Sequence, residues 1–350
     1  VNYIGSKLSL LDFIEDSINQ VVAKKDDLIF CDLFAGTGAV GVHFKKLGYK
    51  IIANDIQYYS YVLNRHYIGN HSPLKFEKLL PKIEKLKDIK ISERKNYVCL
   101  YLENLNGLNG FVANNYSPSG KDGRMYFTIE NAQKCDAIRE QIEQWYANDN
   151  LTEDEYYFLL ATLLESIDKS ANTASVYGAF LKSFKKSAQK NLVMKPLPLY
   201  ENDKDHEVYN SDVKDLIKLI KPDILYLDPP YNTRQYSANY HVLETIARND
   251  KPSVKGKTGL RDWSDQKSDY SSKANVKQAF SELIDNAKAK YIFLSYNNEG
   301  LLSLEDIKTI MSTRGEYGFF AKGYGRFKAD NGREYSANKT TEYLHYVACK

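Results

Sequence analysis

Cysteine is scarce in this chain of 350 residues, and its four copies, Cys31, Cys99, Cys135 and Cys349, lie far apart. No two have the spacing of a zinc site or a redox pair, which argues against a disulfide scaffold and a bound metal. Cys31 sits within an apolar run and reads as core. No apolar run is long enough to span a bilayer, and no secretory leader pattern is visible. The expectation is a soluble, cytoplasmic protein with reduced thiols. Net charge is also small, at +3. Overall basicity therefore does not argue for nucleic-acid binding, although a local basic groove fits within it. Tryptophan is rare, with 2 residues, while tyrosine is abundant at 28 against 15 phenylalanines. Tyrosine packs as a hydrophobe and keeps a polar tip, which suits a polar core and surfaces that stack on bases.

The apolar stretch 28–34 reads as a buried strand. It breaks at Ala35-Gly36-Thr37-Gly38, and a helix follows through Val40, Phe44 and Leu47 until Gly48. Residues 50–55 form the next strand, giving a β-α-β unit with parallel strands. Further on, 213–220 reads as a helix, 224–227 as a strand, 275–288 as a helix and 291–296 as a buried strand. Ser303 with Asp306 makes a capping box, and 317–320 with 342–347 make a terminal β-hairpin. These pieces predict an α/β fold: a doubly wound, mostly parallel Rossmann-like sheet. Between 61 and 205 the strand–helix alternation stops, and helices are predicted near 131–145 and 152–170, the second opened by a Thr152–Glu155 capping box. The expected organisation is a catalytic domain from 1–60 and 206–350, with 61–205 inserted as a mainly helical domain. A basic, flexible loop is expected at 248–273, carrying Lys251, Lys255, Lys257, Arg261, Lys267 and Lys273.

Two motifs carry chemistry. Gly36-Thr37-Gly38-Ala39-Val40-Gly41 matches G-x-G-x-x-G between a strand and a helix, and Asp55 ends the following strand. Glycines let the backbone approach a ligand, and a carboxylate at that position accepts hydrogen bonds from ribose hydroxyls. The ligand class is a nucleoside derivative, with NAD and S-adenosylmethionine both open. Asp32, beside the glycines, would repel a pyrophosphate and attract a cation. The second motif is Asp228-Pro229-Pro230-Tyr231, directly after the 224–227 strand. Two prolines cannot continue a strand, so the chain makes a stiff turn with a carboxylate on one side and an aromatic ring on the other. That turn suits a planar amine, gripped by the carboxylate and a proline carbonyl and stacked on the ring.

Taken in order, Tyr3-Ile4-Gly5-Ser6-Lys7, Phe34-Ala35-Gly36-Thr37-Gly38, the insert and Asp228-Pro229-Pro230-Tyr231 resemble the Dam-like, alpha-ordered DNA adenine N6 methyltransferases. Residues 236–244 resemble the helix that follows this turn in members paired with restriction systems. Ser6 stands where many relatives have a second glycine, and the region around Arg326 and Tyr343 aligns loosely. The resemblance implies S-adenosylmethionine as cofactor, double-stranded DNA as partner and no membrane. It also implies a bacterial, nucleoid-associated setting, a monomer or weak dimer, and a restriction endonuclease linked genetically rather than physically. By matching position, Tyr3 and Lys7 belong to the cofactor site, with Lys7 on the cofactor carboxylate. Asp32 takes the ammonium, Phe34 packs on the methionine portion, and Gly36 and Gly38 shape the loop. Asp55 takes the ribose, Ile56 packs on the adenine, and Asp212 accepts from its amino group while also reading as a helix N-cap. Asp228, the Pro229 carbonyl and Tyr231 act on a flipped-out adenine. DNA phosphates are expected at Lys182, Lys185, Lys186, Lys190, Arg248 and Arg261. Rival readings are a cytosine-N4 or RNA adenine methyltransferase, an NAD-dependent dehydrogenase, and a non-catalytic DNA-binding protein.

Overall fold

The computed structural model describes residues 7–23, 27–233, 235–325 and 339–350. Tyr3 and Arg326 lie outside the described residues. The described residues form two compact units, one comprising those up to Asn64 from Lys7 onward with Lys204–Tyr236 and Asp265–Lys350, the other built from Arg65–Asp203 and Ser237–Ser264.

The first unit is organised around a seven-stranded sheet. Its strands are β1 (Ile29–Asp32), β2 (Lys50–Asn54), β3 (Glu207–Tyr209), β4 (Ile224–Leu227), β5 (Tyr291–Asn297), β6 (Gly315–Gly325) and β7 (Lys339–Cys349), in the order β3-β2-β1-β4-β5-β7-β6. The first five are parallel, while β7 runs antiparallel to both β5 and β6. This is the expected Rossmann-like sheet with its terminal hairpin. Burial on both faces explains why β4 reads as Ile-Leu-Tyr-Leu, apolar throughout rather than alternating. On one face Cys31, Leu33, Leu225, Leu227, Ile292 and Leu294 pack against helices Val213–Leu219, Val276–Asn286 and Leu304–Ser312. On the other, helix Ala39–Lys46 lays Phe44 flat on Phe30, with ring centroids 4.0 Å apart. Ser303 and Asp306 form the expected capping box of helix Leu304–Ser312.

Strand order reverses between β1 and β4, which makes the carboxyl ends of these two strands the switch point of the sheet. Ligands bind at such points in open α/β sheets. The side-chain period of two then decides which residues share a face. Cys31 and Leu33 point into the helical core, so Phe30 and Asp32 point the other way. The β1–β4 register pairs Asp32 with Tyr226. Asp228, two residues beyond Tyr226, projects on that same face.

The second unit is mainly helical, with helices Ile91–Glu103, Phe111–Tyr116, Ile129–Ala147, Glu153–Lys169 and His241–Arg248. Thr152 and Glu155 form the predicted capping box. The stretch read as turns, 104–123, holds the helix Phe111–Tyr116. The helix expected over 236–244 is instead two, Tyr236–Asn239 and His241–Arg248.

A larger difference concerns 248–273, expected as a flexible loop of the catalytic domain. Most of it belongs to the helical unit, where it is tied down. Buried Arg139 donates to the carbonyls of Ile246 and Ala247, and buried Arg124 donates to those of Gly256 and Lys257. Tyr116 donates to Gly259 O at 3.1 Å. Guanidinium groups serve here as caps for carbonyls that have no intrahelical partner.

A carboxylate does the opposite job nearby. Asp136, from the middle of helix Ile129–Ala147, accepts from the N–H groups of Gly110, Val112 and Ala113 at 3.1, 2.9 and 2.8 Å. These are orphan donors at the start of helix Phe111–Tyr116, where negative charge is favoured. Asp136→Ala leaves three N–H groups without this acceptor, two of them buried, and should lower stability by roughly 2–4 kcal/mol. Chemical denaturation at neutral pH measures this directly, and a loss below about 1 kcal/mol would contradict the capping role.

Candidate active site

Asp32 ends β1 and is 2 % exposed. Its Oδ1 has no hydrogen-bond partner, while the carboxylate accepts from the N–H groups of Gly41 and Phe34. Gly41 lies in the first turn of helix Ala39–Lys46, so the positive end of that helix faces the carboxylate. Burial pushes its pKa up to about 8, and the nearby Asp228 and Asp55 carboxylates add to the rise against those two N–H bonds. A buried carboxylate with an open oxygen fits a positively charged ligand group. It does not fit a phosphate.

The loop after β1 is set by its glycines. Gly36 and Gly38 have φ of +52° and +83°, and a Cβ on Gly38 would fall 2.7 Å from Asn64 Oδ1. Asn64 in turn donates to Gly36 O at 3.0 Å. Asp55, just past β2, closes the turn by accepting from Gly36 N at 2.8 Å through Oδ2 and from Gln57 N at 2.9 Å through Oδ1. Phe34 is half-buried and meets Tyr270 edge-on at 5.1 Å. Ile56 is half-buried, its carbonyl receiving Gln266 Nε2. Asp212 is exposed and caps helix Val213–Leu219 by accepting from Lys214 N at 2.9 Å, as its N-cap reading predicts.

At the end of β4, Asp228 is 19 % exposed and its Oδ1 lies 3.1 Å from Lys7 Nζ. The same ammonium donates to Glu342 Oε1 at 2.7 Å and stands 5.7 Å from the centre of the Tyr231 ring. Burial raises the Asp228 pKa to about 6, with Lys7 pulling it down and Glu342 pushing it up. Burial works against the Lys7 charge, yet Asp228 and Glu342 outweigh it and hold its pKa well above the ordinary lysine value. Tyr231 is half-buried and meets Tyr296 edge-on at 6.1 Å, and its carbonyl accepts from Leu301 N. The turn is thereby braced from β5 and from the loop that follows it.

Lys7, expected at the cofactor carboxylate, has its ammonium between two carboxylates of the protein. Glu342, 1 % exposed on β7, was not singled out. The signal was in the strand 342–347, where a glutamate sits in an otherwise apolar and aromatic segment. Such a residue is costly to bury unless it is paired.

The expected DNA contacts separate into two groups. Lys182, Lys186 and Lys190 are exposed, in a loop rather than on a helix. Lys185 is half-buried and donates to Thr173 O at 2.7 Å. Arg261 is buried and grips both Asp250 oxygens, at 3.0 and 2.5 Å, and Arg248 pairs with Glu244 one turn earlier. Those two arginines hold the fold of the helical unit. Among the described residues no group of three metal-ligating side chains is present, and no helix is long and apolar enough to cross a membrane.

This geometry agrees with the comparisons to known proteins. The model of the D12 class N6 adenine-specific DNA methyltransferase family matches residues 3–310. The chain is 50 % identical to Type II methyltransferase M.NlaIII of Neisseria lactamica over 99 % of both proteins. It is 40 % identical to Type II methyltransferase M.FokI of Planomicrobium okeanokoites, over 99 % of this chain and 52 % of that longer protein. Identity to Type II methyltransferase M.CviAII of Paramecium bursaria Chlorella virus 1 is 39 %, over 99 % of this chain and 98 % of that one. The chain therefore belongs to the D12 class of N6 adenine-specific DNA methyltransferases, enzymes that act on DNA and require a methyl donor.

Proposed function

We propose that this enzyme methylates N6 of a flipped-out adenine at a specific site in duplex DNA, with S-adenosylmethionine as donor, as the modification half of a restriction-modification system. The observation that carries the reading is the pairing of buried Asp32 with half-buried Asp228 on one face of the sheet switch point. One has an open oxygen for a cation, and the other ends in a proline turn suited to an amine. When bound, S-adenosylmethionine supplies an electrophilic methyl group on a sulfonium, whose bonding pair stays with sulfur on transfer. Asp32 attracts the ligand's ammonium, Asp55 orders the ribose, Phe34 and Ile56 offer apolar contact, and the glycine loop brings backbone close. Asp212 can serve the ligand while capping its helix.

Asp228 and the Pro229 carbonyl each accept a hydrogen bond from one N–H of the target amine. An adenine amine is a poor nucleophile because its lone pair is delocalised into the ring. Accepting from both protons favours the tetrahedral form, in which the lone pair is localised. Positioning and electrostatics then carry the step: the nitrogen lone pair takes the methyl, the sulfonium pair stays on sulfur, and the cationic nitrogen formed is acidic and releases one proton, while Tyr231 stacks on the extruded base. Lys182, Lys186 and Lys190 are suited to phosphate contact. The dehydrogenase and non-catalytic readings leave the proline turn unused, and the family assignment favours adenine over cytosine or RNA.

Three measurements test this. Asp228→Ala should reduce methyl transfer at least about 10³-fold with cofactor affinity retained, since one acceptor and its charge are lost from the reacting amine. Tritium transfer to plasmid DNA reads the rate, and near-normal turnover would reject the assignment.

For Asp32 the prediction concerns stability and binding together. With a folded-state pKa of about 8 against 3.8 for the free group, the native chain keeps a proton that the unfolded chain sheds. Stability is then lost progressively as pH rises from about 4 to about 8, and the loss levels off above that. Asp32→Asn removes this loss. Its melting temperature should exceed wild type by a margin that widens from acid to neutral pH, while S-adenosylmethionine binding falls at least about 30-fold. A constant margin with unchanged binding would remove Asp32 from the cofactor site.

The triple variant Lys182→Ala/Lys186→Ala/Lys190→Ala should weaken DNA binding and lessen the salt slope by roughly 1 to 3 in log–log units. An unchanged slope would place the DNA elsewhere.

A further inference from the structure

Glu342 lies on β7 opposite Asn297 of β5. Its Oε1 accepts from Lys7 Nζ at 2.7 Å and from Ser295 Oγ at 2.8 Å. The period-two alternation that points Ile292, Leu294 and Tyr296 into the helical core points Ser295 and Asn297 the other way. Glu342 shares their face, which is the face of Asp32 and Asp228. Its carboxylate is thus delivered to the switch point by antiparallel pairing from the far end of the chain. Lys7 arrives from the near end. Holding a lysine in place needs one buried carboxylate, and two on one nitrogen add a desolvation cost that a purely structural pair would avoid.

We propose that Glu342 is a positioning residue for methyl transfer: it holds the Lys7 ammonium at a point shared with Asp228, and so governs how strongly Asp228 accepts from the target amine. This rests on the reading of Asp228 as the amine acceptor. A carboxylate neutralised fully by one ammonium is a weak acceptor. A carboxylate in this site with no cation beside it takes up a proton and loses part of its capacity to accept. Dividing the ammonium between two carboxylates keeps Asp228 both ionised and basic, the compromise that proton-accepting groups need near neutral pH. The charged and titratable groups that bear on Asp228 are Lys7, Glu342 on β7, Asp32 on β1, Tyr226 on its own strand and Tyr231 in the turn. Burial pushes the Tyr226 hydroxyl well up, which keeps it neutral over the working range. Saturating cofactor holds Asp32 in one state, leaving the acid limb of the rate to Asp228.

The test is the pH dependence of single-turnover methyl transfer from about pH 5 to pH 9, with S-adenosylmethionine and DNA saturating. Glu342→Gln keeps the shape and removes the competing charge, so Lys7 settles on Asp228. The acid limb should move down by about one pH unit, and the plateau rate should fall roughly 3- to 10-fold as Asp228 becomes a weaker acceptor. Cofactor affinity should stay within about threefold, a split that loss of a cofactor ligand would not produce. Ser295→Ala strips a donor from Glu342, strengthens its hold on Lys7, and should move the limb up by about half a unit. Limbs that overlay wild type in both variants, or a Glu342→Gln limb that moves up, overturn the proposal. If Glu342→Gln does not fold, the direction of the Ser295→Ala limb decides alone. Failure of the parent reading looks different: wild type would transfer no methyl to adenine, or Asp228→Ala would keep its rate.

Discussion

One ammonium, held out of water at the carboxyl end of the sheet, ties the active face together. Lys7 is 5 % exposed and touches Asp228 and Glu342, two carboxylates separated by more than a hundred residues. Moving a charge from water into such a place costs several kcal/mol, and the cost is offset only by close, well-directed partners. Removing Lys7 would leave both carboxylates without their shared cation. The N-terminal segment, the proline turn and the last strand are thereby made to depend on one another. The terminal hairpin, which extends the sheet beyond its parallel strands, is also the element that brings Glu342 to this cluster.

The two aspartates of the switch point show how one sheet makes two different groups from the same side chain. Asp228 has a cation beside it and a pKa near 6, so at neutral pH it is an acceptor. Asp32 has only backbone N–H partners, lies deeper, and feels the charge of Asp228, so its pKa climbs to about 8. Environments that push paired carboxyls apart are how a single fold assigns roles to them. Here the assignment comes from which neighbour carries a positive charge in the protein itself and which must receive it from a ligand.

Much of this was legible from the residues because local patterns carried it. The β-α-β start, the glycine loop with Asp55, the proline turn after 224–227, both capping boxes and the terminal hairpin each depend on a few neighbouring residues. What escaped was set by partners distant in sequence. Nothing near Lys7 announces that its ammonium faces Asp228, and nothing near Arg261 or Arg248 announces that Asp250 and Glu244 hold them. A basic loop and a structural loop have the same composition; the difference lies in whether a buried guanidinium grips its carbonyls, as Arg124 does here. The short strand Glu207–Tyr209 was missed for a related reason, since three half-buried residues give no period to read.

The closeness of Asp32 and Asp228 has a consequence for the order of events. Their repulsion belongs to the pair, so whatever lowers the cost of charging one lowers it for the other. A cation seated against Asp32 offsets the charge that Asp228 otherwise opposes, and by reciprocity an ionised Asp228 strengthens the hold on that cation. On the proposed roles, the donor and the amine acceptor are coupled through an electrostatic contact across β1 and β4, with no movement of either strand needed. Lys7 and Glu342 set where that coupling operates. With Lys7 wholly on Asp228 the acceptor would be charged whatever stood beside Asp32, and the coupling would lose its effect. Sharing the ammonium leaves Asp228 ionised near neutral pH yet still responsive to a charge arriving at Asp32.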